Sequence, residues 1–246
     1  MVRILFSFFL LATFCMAPAR ATELNLQELI RSVEDQHWGI SSQAVMEMSI
    51  KTTNWERTTV MDAWSLGRDY FLIRISEPAK ERGVATLKVE DEVWNYLPKV
   101  DRTIRIPPSM MGGAWMGSHI TNNDLVKASH VDEDYLFKML EETGATWLVE
   151  GLPREDAVVI WGKIVYLIDK SNRVPIRVDY FDEEGVKVRT MEFDRVTTVG
   201  DREVPMRMTI RPLEKPGELT VMDYRELAFD VGLDKRFFSL RQLKAR

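Results

Sequence analysis

The 246-residue sequence contains one cysteine, three histidines and no dense basic tract. A lone cysteine excludes a disulfide framework and the multi-cysteine zinc modules, and three histidines leave little material for a His-rich metal site. The chain carries 33 Lys and Arg against 38 Asp and Glu, a formal charge of -5, which argues against nucleic acid as a partner. The G-x-S-x-G, H-E-x-x-H, G-x-G-x-x-G and Walker A patterns are all missing, so the best-marked enzyme classes lose support. No catalytic set, metal site or cofactor is assigned, and an enzyme is not expected. What the chain does have is 45% apolar residues, enough for a sizeable core and too many for intrinsic disorder.

The first segment reads as an address. Arg3 precedes an apolar run from Ile4 to Met16, and Ala19-Arg20-Ala21 supplies an A-x-A cleavage site, the layout of a secretory signal peptide. The run is shorter than the roughly 18 to 20 residues that a spanning helix needs. The expected organisation is a signal peptide over residues 1–21, cleaved after Ala21, and a single domain over 22–246 in the periplasm.

Beyond it, the hydrophobic period changes twice. Asn25 with Glu28 three residues later suggests a helix cap, and Leu26, Leu29, Ile30 and Val33 recur at helical spacing to about Gln36. A period of two then begins with Ala44, Met46, Met48 and Ile50. Strands are predicted over 55–66, 69–75, 84–89, 92–97 and 102–106, joined by short connections that suit antiparallel hairpins. The stretch from Pro107 to Ser118 has no period and reads as a long functional loop. Tyr135, Leu136, Met139 and Leu140 suggest a helix over 132–142. The alternation then resumes, notably at Val174 to Phe181 and at Val204, Met206, Met208 and Ile210, and runs to a short terminal helix. The expected fold is mainly β with some α: a large, strongly curved antiparallel sheet of about ten or eleven strands with two or three helices.

Two clusters bear on chemistry. Ser118, His119 and Asp124 carry the residue types of a nucleophile, base and orienter, but hydrogen bonding in a loop and helix cap by Ser118, Thr121 and Asp124 explains them more simply. Met110, Met111, Trp115 and Met116 in the loop, together with Met46, Met48, Ile50, Met206 and Met208 on alternating strands, suit an apolar cavity with a movable lid. Periodicity does not distinguish such a cavity from a filled core.

The segments Lys80 to Leu87, Trp94 to Pro98, Ile106 to Ser109, Met116 to Ser118, Val174 to Arg177, Val204 to Met208 and Phe238 to Leu243 resemble the signature of LolA-like proteins of outer membrane lipoprotein sorting. His119 departs from it, standing where that family commonly has an acidic residue. The resemblance implies a periplasmic half-barrel with an apolar concave face, lipid or lipoprotein acyl chains as cargo and an inner-membrane ABC transporter as donor. Three functions stay open: a lipid or lipoprotein carrier, an accessory module docking to an ABC or efflux permease, and a lipid hydrolase.

Overall fold

The computed structural model describes residues 24–36, 38–127 and 130–245. The signal segment and His37 lie outside them. Asn25 caps the first helix, α1 (Leu26–Asp35), by accepting hydrogen bonds from the backbone N–H groups of Gln27 and Glu28. Leu29, Ile30 and Val33 are the buried stripe of α1, as their spacing predicts.

Thirteen strands follow among the described residues: β1 (Ser41–Lys51), β2 (Glu56–Leu66), β3 (Tyr70–Glu77), β4 (Ala85–Val89), β5 (Glu92–Leu97), β6 (Arg102–Arg105), β7 (Tyr135–Glu142), β8 (Thr146–Pro153), β9 (Lys163–Asp169), β10 (Pro175–Phe181), β11 (Lys187–Val199), β12 (Arg202–Pro212) and β13 (Leu219–Phe229). They form one sheet in the order β6-β5-β4-β3-β2-β1-β13-β12-β11-β10-β9-β8-β7, antiparallel throughout. The sheet curves without closing into a barrel, because its edges β6 and β7 do not pair.

This order dictates where the roof lies. The first six strands step outward from the centre to one edge, and the last seven begin at the other edge and step back to it. The chain between β6 and β7 must therefore cross the whole sheet. That crossing segment, residues 106–134, carries α2 (Asn122–Lys127) and α3 (Val131–Asp134). It packs Trp115 and Ile120 into the same apolar cluster as Ala44, Met46, Met48 and Ile50 of β1. On the other half of the sheet, α1 shares an apolar cluster with β8, β9 and β10 through Val149, Tyr166, Ile168 and Val178. The C-terminal turn and α4 (Leu240–Leu243) cover the far side of β3 and β4, where Phe238 and Leu243 meet Tyr70, Leu72 and Leu87. β3 is thus buried on both faces, which explains its continuous apolar run.

The expected helix over 132–142 is largely wrong: only 131–134 is helical, and 135–142 is the edge strand β7. Tyr135 is buried, Phe137 and Met139 are half-buried, and Leu136 and Leu140 are exposed, so the residues alternate once β8 supplies the hydrogen bonds. Pairing with a neighbour overrides a spacing that fits either period. The stretch 158–162 is irregular, and β9 starts at Lys163.

Candidate functional site: an apolar cavity under a crossing segment

Between the sheet and its roof lies a cavity of about 260 Å³, in the range of cavities that admit a small apolar ligand. Its floor is Ala44, Met46, Ala63, Phe71, Ile73, Met208, Met222, Tyr224 and Leu227. One wall is Ile164, Tyr166, Val178, Tyr180, Met191 and Phe193 of β9, β10 and β11. The roof is Val33, Glu34 and Trp38 from α1 and its end, with Trp115, Ile120, Asp124, Leu125 and Val131 from the crossing segment. Val159 and Trp161 of the irregular stretch before β9 complete it.

A tight turn positions the two roof residues of the loop. Ala114 and Thr121 form a β-bridge, and the Trp115 N–H donates to the Ile120 carbonyl at 2.7 Å. Met116 and Gly117 are left-handed, with φ of 49° and 75°, and reverse the chain. Glycine meets that demand without strain, whereas Met116 adopts it against preference. The Ser118 hydroxyl donates to the Trp115 carbonyl at 2.7 Å and accepts from the Ile120 N–H at 3.1 Å. Trp115 is 1% exposed, and its indole N–H donates to Thr86 Oγ1 at 3.0 Å.

The expected site residues divide on this geometry. Met46, Met208 and Trp115 line the cavity. Met48 and Ile50 lie further along β1 in the filled part of the core. Met116 is half-buried against that core, Met111 and Met206 are half-buried outside the lining, and Met110 is 55% exposed.

Ser118, His119 and Asp124 do not converge. His119 Nε2 lies 3.1 Å from Glu218 Oε2 and its Nδ1 2.8 Å from Thr220 Oγ1. Hydrogen bonds from the Thr53 backbone, from His119 and from the Thr53 hydroxyl hold the Glu218 carboxyl down at about 2. Asp124 instead accepts both guanidinium Nη groups of Arg189, at 2.6 and 2.9 Å, and two hydrogen bonds from Thr121. Burial pushes the Asp124 carboxyl up, but Arg189 and Thr121 more than reverse this and leave it below the usual carboxylate range. The Arg189 guanidinium stacks 3.9 Å from the Tyr180 ring and 4.3 Å from Trp161. This bidentate pair ties the crossing segment to β11.

Glu34, which periodicity overlooked, behaves differently. It extends the apolar face of α1 by one position, and the Tyr166 hydroxyl donates to its Oε1 at 2.9 Å. Burial pushes its carboxyl up to about 7, against the lowering hydrogen bond from Tyr166. Both polar outliers had a sequence signal: Glu34 lies four residues after Ile30, and Arg189 shares the inward parity of Met191 and Phe193.

A family model described as "Uncharacterized protein" matches residues 67–245. The chain is also 27% identical to an outer membrane lipoprotein-sorting protein domain from Vibrio parahaemolyticus, covering 89% of this chain and 98% of that one with a TM-score of 0.77. The chain belongs to the LolA-like family. Two further solved structures share the LolA-like fold. A DUF1329 family protein from Desulfovibrio piger has 24% identity, 88% and 97% coverage and a TM-score of 0.79. A LolA superfamily protein from Nitrosomonas europaea has 19% identity, 89% and 99% coverage and a TM-score of 0.74. None of the curated proteins compared with it matches the chain. No helix among the described residues of this LolA-like protein is long and apolar enough to cross a membrane.

Proposed function

We propose that the protein is a periplasmic carrier that holds lipid or lipoprotein acyl chains in the cavity beneath α1 and the crossing segment. The observation that carries this reading is the cavity itself, a space of about 260 Å³ walled mainly by methionine, aromatic and aliphatic side chains inside a LolA-like sheet. An acyl chain in water costs roughly 0.8 kcal/mol per methylene, which an apolar cavity removes. Soft methionine side chains at Met46, Met208 and Met222 adapt to chains of different shape.

Export belongs to the same reading: cleavage after Ala21 would leave a mature chain starting at Thr22, which N-terminal sequencing of the secreted protein checks. The cargo is tested by mass spectrometry of an organic extract of the purified protein. Stoichiometric lipid supports the carrier. A lipid-free protein that refuses added lipid, and instead copurifies with an inner-membrane permease, supports the docking-module reading.

A further inference from the structure

The polar groups around the cavity are unevenly satisfied. Ser42 and Ser65 bond each other at 2.6 Å, the Tyr135 hydroxyl donates to the Trp161 carbonyl at 3.0 Å, and the Trp115 indole is bound to Thr86. Asp124 is matched by Arg189. The Glu34 carboxyl, unlike that of Asp124, has no cation bonded to it among the described residues. A carboxylate has about four acceptor sites, and among the described residues Tyr166 is its one hydrogen-bond partner.

Its charged neighbours are committed elsewhere. Arg68, from the β2–β3 turn, donates through Nε to Asp35 at 2.6 Å, through Nη1 to Asp132 of α3 at 2.7 Å, and through Nη2 to the Arg31 carbonyl at 3.0 Å. Asp35 and Asp132 add negative charge near Glu34, and Tyr166 from β9 faces it with Tyr180 of β10 behind. The described lining holds two acids, Glu34 and Asp124, and no Lys, Arg or His. An anionic head group would therefore enter a cavity with no base in its lining, whereas a donor would find an open carboxyl acceptor.

We propose that the cavity selects amphiphiles whose polar end donates a hydrogen bond, a hydroxyl or a protonated amine, and seats that end on Glu34, while carboxylate-headed and phosphate-headed chains of equal length are disfavoured. The inference rests on the carrier reading and names its cargo class. Trp38, in the same part of the roof, adds an aromatic surface suited to an organic cation.

The experiment is competition for bound N-phenyl-1-naphthylamine by dodecanol, dodecylamine and dodecanoate, with the purified protein. Dodecylamine and dodecanoate keep their charges between about pH 6 and 8.5. Dodecanol and dodecylamine are expected to displace the probe at about tenfold lower concentration than dodecanoate. The preference for dodecylamine over dodecanoate should grow as the pH rises through the titration of Glu34. Glu34→Gln should abolish that pH dependence and keep dodecanol binding, because the amide oxygen still accepts, and Glu34→Leu should weaken dodecanol as well. If neither variant folds, the wild-type ranking and pH profile decide alone. Dodecanoate binding as tightly as dodecylamine at every pH overturns the inference and leaves the carrier standing. Failure of the probe and of all three chains to bind overturns both.

Discussion

The pair Asp124–Arg189 is a nearly buried ion pair at the site, with side chains 11% and 5% exposed. Removing one partner of such a pair leaves the other charge buried, a loss of about 3 to 5 kcal/mol. Arg189→Met should lower stability by that order in urea denaturation and loosen the turn before α2, whereas an exposed charge such as Arg236 should be replaceable at little cost. Glu34 makes an opposite prediction. Its ordinary value of 4.5 rises to about 7 on folding. Between these two values the folded protein holds a proton that the unfolded chain has released. Stability therefore falls as pH rises from about 4.5 to 7 and is flat in this respect above. The shift sets an upper bound of about 3 kcal/mol. Glu34→Gln should accordingly match the wild type in denaturant midpoint at pH 4 and exceed it at pH 8. Two neighbouring methionines separate lining from packing. Met208→Lys places an ammonium in the cavity, at a desolvation cost of several kcal/mol unless the group is neutralised or reaches water. It should weaken an apolar probe more than about tenfold with the circular dichroism of the fold retained. Met206→Lys, on the same strand but outside the lining, should bind the probe normally.

At the scale of elements, the two parts of the roof are held by different contacts. Prolines, glycines and methionines over 107–118 read as a mobile lid, yet Trp115 is buried and bonded to Thr86, and Arg57 donates to the Met116 carbonyl at 2.7 Å. The other part of the roof, α1, is clamped to the β2–β3 turn by Arg68 through Asp35 and to α3 through Asp132. Arg68→Ala should raise amide exchange over residues 29–35 by about tenfold or more and leave β1 protected, as hydrogen exchange would read. The legibility of these elements tracks their physics. α1 and β1 were readable because one face of each is apolar at a clean period. β7 was not, because an edge strand takes its order from β8 and its own spacing fits a helix equally well. Val159 and Trp161 sit in an irregular stretch, where period carries no signal, and the ion pair of Asp124 and Arg189 spans 65 residues. Of the methionines singled out by alternation, Met46 and Met208 reach the cavity and Met48 does not. Alternation tells inside from outside but not where along a strand the core stops and a cavity begins.

For the whole molecule, two meanders meeting at β1 and β13 force the connection between their outer edges across the open face of the sheet. Roof and floor thus come from one topological necessity, and a cavity remains wherever side chains do not fill the gap. The central claim is that an apolar chain occupies this gap. A lipid with a diazirine in its acyl chain, photolysed on the purified protein and mapped by peptide mass spectrometry, tests the claim most directly. The account predicts label on peptides carrying Met46, Met208, Met222 and Tyr224, reduced by Met208→Lys. Label confined to Leu136, Leu140 and Leu152, which are exposed on β7 and β8, would contradict it and mark a surface contact instead.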